Sequence, residues 1–171
     1  GAQVTWVMVD GPENKVGVKP DGRIVEIAGL AKTAPETLAD CRMLTYSGVA
    51  VYAKTFLDHL KGPVFHSLVD GVLKLMCEQP ESVRAVIPGD VYWNDIGTID
   101  KYFQAHQDIL ADGHMRFDDL NLNPENPVYV SPKADIADFA EVAGFAAFNG
   151  ACQVGANAHI EDCVLLDGAV V

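Results

Sequence analysis

The chain is predicted to fold as a mixed α/β segment followed by a parallel β-helix, on three observations. Every sixth residue from Val130 (Val130, Ile136, Val142, Phe148, Val154, Ile160 and Leu166) is bulky and apolar, in unbroken register. Four positions after each stand Ala134, Ala140, Ala146, Cys152, Ala158, Val164 and Val170, all small or modest in volume. Ahead of this tract, β-branched runs interleave with stripes of helical spacing.

A helix would need apolar spacings of three and four, and a plain strand a spacing of two. A period of six therefore implies short strands joined at corners, each coil stacked on the next. Gly144, Gly150, Gly155 and Gly168, with Asn149 and Asn157, are suited to the corners. At this register the tract resembles the left-handed β-helix of hexapeptide-repeat proteins, and that resemblance implies assembly as a homo-oligomer through the helix.

The preceding elements follow in order. Val4–Val9 reads as a buried strand, an unusual start for a free-standing domain and in keeping with a fragment of a longer protein. Residues 15–19 and 23–27 flank Pro20-Asp21-Gly22 as a hairpin, and 45–52 is a further strand. A short helix is expected over 54–60 and a longer one over 65–76, where Phe65, Leu68, Val69, Val72 and Met76 form a stripe. Short strands are expected at 83–87 and 91–93. Thr98 is a natural N-cap for a helix whose one face carries Ile99, Tyr102, Phe103, His106 and Leu110. The polar stretch to Pro127 then joins two domains, giving 1–115, a linker at 116–128, and the repeat at 129–171.

With 49% hydrophobic and 21% charged residues, 171 residues can bury a real core. Twelve basic against 24 acidic residues leave a net charge of −12, with no basic cluster. Nucleic acid and anionic membranes are poor partners for such a surface. Cys41, Cys77, Cys152 and Cys163 form no paired motif, so they are expected to be reduced, mostly buried thiols of a cytoplasmic protein. No membrane span or signal peptide is expected.

The segment Tyr92-Trp93-Asn94-Asp95-Ile96-Gly97-Thr98 carries the chemistry. It resembles the Trp-x-Asp-x-Gly-Thr strand-to-helix turn of the sugar-phosphate nucleotidyltransferases, the nucleotide-sugar pyrophosphorylases; a mannose-1-phosphate guanylyltransferase is the first expectation and an enzyme of glucose with dTTP or UTP the next, the residues themselves naming neither nucleotide nor sugar. Thr45-Tyr46-Ser47-Gly48-Val49-Ala50-Val51-Tyr52 resembles the strand of that family whose Gly lies against the hexose.

The resemblance implies a Rossmann-like nucleotidyltransferase domain, present here as its C-terminal part. It implies Gly48 and Trp93 as substrate-binding residues and Asp95 as a ligand of Mg²⁺, with a nucleoside triphosphate and a sugar 1-phosphate as partners. A hard cation suits a carboxylate and needs few protein ligands when phosphates supply oxygen. The residues alone leave a second role open for Asp95, ordering the turn, and for Gly48, close packing of strand on helix.

Many family members carry Glu-Lys-Pro where this chain has Ile27-Ala28-Gly29-Leu30. The Gly-rich phosphate loop and a second metal-binding Asp are expected upstream of Gly1, so no catalytic residue beyond the metal ligand is expected here and the fragment should be inactive alone. The alternative is a non-catalytic oligomerisation or regulatory module of the same fold. Of five histidines, His59, His66, His106, His114 and His159, only His159 sits where β-helix acyltransferases keep a base, and no orienting acid is evident beside it.

Overall fold

The computed structural model describes residues 1–60, 67–113, 122–123 and 125–171, which divide into two compact units, Gly1–Trp93 and Asn94–Val171.

In the first unit, β1 (Val4–Val9), β2 (Val16–Val18), β3 (Ile24–Ile27), β4 (Arg42–Tyr52) and β5 (Val83–Val86) form one sheet in the order β3-β2-β4-β1-β5. The β3-β2, β2-β4 and β4-β1 pairs are antiparallel, and β1 runs parallel to β5. Along β1 the pleat buries Val4, Trp6 and Met8 and leaves Thr5 and Val7 half-buried, so one face of the sheet carries the core. Val4, Met8, Leu44, Phe56, Val72, Leu75 and Val83 lie in that core with essentially no exposure. Each such side chain contributes about 1.5–3 kcal/mol on removal from water.

The hairpin forms as its turn residues dictate. Gly22, at φ +86°, donates to the Lys19 carbonyl at 2.8 Å, and the Asp21 carboxylate accepts from the Arg23 amide at 3.0 Å. After β3 comes α1 (Pro35–Leu38), a single turn the sequence did not announce. The short helix over Lys54–Leu60 is 3₁₀ in form. Helix α2 (Leu68–Glu78) starts later than its apolar stripe suggests, because Ser67 and Asp70 close a capping box at 3.1 and 3.0 Å; Phe65 lies outside the described residues. Residues 91–93 join no strand.

In the second unit, Thr98 caps α3 (Ile99–Leu110) by accepting the Lys101 amide at 3.2 Å. Ile99 is 86% exposed, so the buried stripe is shorter than expected and rests on Phe103 and Leu110. Strands β6 (Val128–Val130), β8 (Glu141–Phe148) and β10 (His159–Leu165) make a parallel three-stranded sheet, while β7 (Asp135–Ile136) and β9 (Gln153–Val154) make a separate parallel pair. Both faces of the second half of β8 are covered. Phe145 and Ala147 meet α3, with the Phe145 and Phe103 rings 4.9 Å apart, while Ala146 and Phe148 enter a cluster with Cys152, Val154, Ile160 and Leu165.

This arrangement corrects the predicted left-handed parallel β-helix. Uniform six-residue faces are not formed: the strands run from two to eight residues and belong to two sheets. Of the seven supposed inward residues, Phe148, Val154 and Ile160 are buried, but Val130, Val142 and Leu166 are 47%, 37% and 55% exposed.

The physical reason is a register shift. Ile160 pairs with Val142, eighteen residues back, but past Asp162 the pairing slips by one, so that Leu165 stands opposite Phe148. A one-residue slip exchanges the faces of a strand, and Leu165 is buried where Leu166 was expected. The slip is held by Asp162, whose Oδ1 accepts the Phe145 amide at 3.1 Å beside Gly144 at φ +62°. An added Cβ at Gly144 would collide with that carboxylate.

Among the cysteines, all free, Cys152 alone is buried and Cys77 is exposed, which corrects the expectation that most would be packing groups. Among the described residues, no helix is long and apolar enough to cross a membrane.

Candidate functional site

Gly48 stands in an irregular stretch of β4. Trp6 pairs with Ala50 and Met8 with Tyr46, so Val7 faces the three residues Ser47, Gly48 and Val49, a bulge that bends the strand. Gly48 takes φ +88° there, and an added Cβ would meet nothing within 4 Å. Close packing is therefore not what requires glycine; the left-handed backbone is. The result is an exposed backbone segment without a side chain.

Trp93, the other residue singled out in this unit, is drawn to the same bulge. Its indole N–H donates to the Ser47 carbonyl at 3.0 Å, and the ring is partly buried. Trp93 and Ser47, 46 residues apart in the chain, are thus joined next to Gly48. The stretch leading to Trp93 turns at Gly89, at φ +87°.

Asp95 belongs to the second unit and is exposed. Its Oδ2 lies 3.6 Å from Lys101 Nζ on the first turn of α3, and the Asn94 side-chain Nδ2 donates to the Lys101 carbonyl at 3.4 Å. An exposed pair of this kind is worth under about 1 kcal/mol and yields readily to a stronger cation. Among the described residues no three His, Cys, Asp or Glu side chains gather into a metal-holding group. The exposed Asp95 carboxylate offers oxygens of the hard type that a magnesium ion prefers.

The stretch Ile27-Ala28-Gly29-Leu30 forms a tight turn, with the Leu30 amide donating to the Ile27 carbonyl at 2.8 Å and positive φ at Ala28 and Gly29. Glu26 precedes it and points inward. Its carboxylate accepts from Ile27, Ala31 and Thr33 amides at 2.8, 3.2 and 3.0 Å. Burial pushes this carboxyl up, but the backbone donors outweigh it and hold it below its ordinary value.

His159 has the acids that the sequence did not reveal. Glu141, its neighbour across the β8–β10 pair, lies 3.5 Å from Nδ1 and Glu161 3.7 Å from Nε2, all three being solvent-exposed. His59 lies 3.5 Å from Glu78, and the His106 ring packs edge-on against Tyr102. His66 and His114 lie outside the described residues.

Sequence reasoning missed a cavity of about 320 Å³ in the first unit, beyond the carboxyl ends of the parallel strands β1 and β5. Asp10, Arg42 and Asp90 line it, with Arg42 paired to Asp10. These residues are scattered in sequence and lie in no motif. Strand order could have pointed to them, since ligands of α/β sheets gather at the carboxyl ends of parallel strands.

No family model matches the chain. It is similar to the valienol-1-phosphate guanylyltransferase of Streptomyces hygroscopicus subsp. limoneus, 32% identical over 124 residues, which cover 64% of this chain and 33% of that protein. The chain therefore spans about a third of the length of the curated relative it matches. A distant homologue is thus a nucleotidyltransferase, by its name a guanylyltransferase of valienol 1-phosphate.

Proposed function

We propose that the whole protein is a sugar-phosphate nucleotidyltransferase, with GTP as nucleotide and a hexose or cyclitol 1-phosphate as acceptor. The observation that carries this reading is the 3.0 Å bond from Trp93 Nε1 to the Ser47 carbonyl, which holds Trp93 against the Gly48 bulge. The similarity to a guanylyltransferase supports the choice of reaction and nucleotide.

In this reaction an oxygen of the sugar 1-phosphate attacks the α-phosphorus, a new P–O bond forms and pyrophosphate leaves. Mg²⁺, with Asp95 as one of its ligands, would withdraw charge from the phosphates. Gly48 serves by holding the bulge in a left-handed conformation that a side chain would strain. Trp93 fixes the bulge in place.

The test is pyrophosphate release by the whole protein from GTP and Mg²⁺ with mannose 1-phosphate, glucose 1-phosphate or valienol 1-phosphate. Release with at least one acceptor supports the reading. No release with any of them, or with ATP, UTP or dTTP in place of GTP, overturns it.

A further inference from the structure

The cavity beyond β1 and β5 has two kinds of wall. Val9, Ile87 and Val91 give it apolar surface, and Asp10, Arg42 and Asp90 bring charge. Arg42 pairs with Asp10, and both side chains remain more than half exposed. Asp90 is exposed as well.

The charges exclude one class of ligand. One guanidinium against two carboxylates leaves the lining net negative, with no Lys or His among its residues. A phosphate or other anion would meet repulsion from Asp90 and would have to compete with Asp10 for Arg42. An uncharged polyhydroxylated ring has the opposite fit. Its hydroxyls donate to the carboxylates and accept from the guanidinium, while its C–H faces lie on Val9, Ile87 and Val91. The volume sits at the small end of ligand sites, about 300–1,000 Å³, as one such ring requires.

We infer that Asp10, Arg42 and Asp90 form a recognition site for the hydroxyls of a hexose or cyclitol ring, and so set which acceptor the protein takes. This deepens the proposed function and rests on it for the meaning of the ligand, though the pocket itself can be tested without any turnover. It also gives a role to charged side chains in a chain that has no Glu-Lys-Pro segment.

The experiment is an amide NMR titration of the whole protein with D-mannose, D-glucose and myo-inositol, and separately with inorganic phosphate. Saturable shifts at Asp10, Arg42, Gly89 and Asp90 with at least one polyol, and none with phosphate, are expected. Arg42→Met and Asp90→Asn should each weaken that binding at least about tenfold, equivalent to about 1.4 kcal/mol, while amides of α2 keep their positions.

Saturable shifts with phosphate alone, polyol shifts confined to residues outside the pocket, or no saturable shift with any polyol would overturn the inference. The two readings fail separately. Pyrophosphate release with an acceptor KM unchanged by Arg42→Met and Asp90→Asn removes only the pocket's role. Polyol binding in the pocket without pyrophosphate release removes only the transferase.

Discussion

Replacing Glu26 by Gln probes how the turn after the hairpin is held. Glu26 is 5% exposed, its Oε1 accepts the Ile27 and Ala31 amides, and its Oε2 accepts the Thr33 amide. In the variant the remaining oxygen can keep Ile27 and Ala31, but the new NH₂ opposes the Thr33 N–H, donor against donor. A hydrogen bond to a charged group is worth about 1.5–3 kcal/mol and an unmet donor costs about 1–3 kcal/mol. Thr33 is only partly buried and can take water, so the loss is expected near the lower end, about 2 kcal/mol.

Urea unfolding at pH 7 followed by tryptophan fluorescence measures it, Trp6 being 3% exposed and a reporter of this core. The pH dependence has a definite sign. Because the folded carboxyl lies below its ordinary 4.5, its contribution is complete above that pH and is lost as pH falls through the folded value. The gap between wild type and variant should therefore close in acid. A gap under about 0.5 kcal/mol at pH 7, or one that persists unchanged in acid, would refute the reasoning.

Gly48→Ala should cost about 1–2 kcal/mol despite open space around it, since the penalty is the positive φ; an unchanged urea midpoint would contradict this. Val154→Ala should destabilise by about 1–3 kcal/mol while Leu166→Ala stays within about 0.5, because only the first is buried; equal losses in thermal melts would restore the strict six-residue register. In the whole protein, Asp95→Asn should lower pyrophosphate release about a hundredfold, near 2.7 kcal/mol, and raise the Mg²⁺ needed for half-maximal rate. An unchanged Mg²⁺ dependence would return Asp95 to a role in ordering the turn.

Much of the local structure was legible because its cause is local. The β1 run, the Pro20-Asp21-Gly22 turn and the Thr98 cap each follow from a few adjacent residues, and each appears where expected. What failed depended on pairing between distant residues. The six-residue period continues through Leu166, yet Asp162 and Gly144 absorb a residue between neighbouring strands and carry Leu165 inward instead. No period read along one strand can show a slip that arises between two.

The same distinction applies to the site. Gly48 and Trp93 were visible as parts of motifs, but their connection through Ser47 is a tertiary contact. Glu141 beside His159 was hidden in the same way, since it lies on another strand. Asp10, Arg42 and Asp90 come from three separate segments and converge only when β1, β4 and β5 have paired.

The most direct measurement is therefore pyrophosphate release by the whole protein with GTP, Mg²⁺ and a sugar or cyclitol 1-phosphate, compared with Trp93→Phe, which keeps an aromatic ring and loses the donor to Ser47. The account predicts release by the wild type and a reduced rate for the variant, by about tenfold if the lost bond is worth about 1.4 kcal/mol in the transition state. Release at an equal rate by both would contradict the role given to the Trp93–Ser47 bond, and no release by either would contradict the proposed function itself.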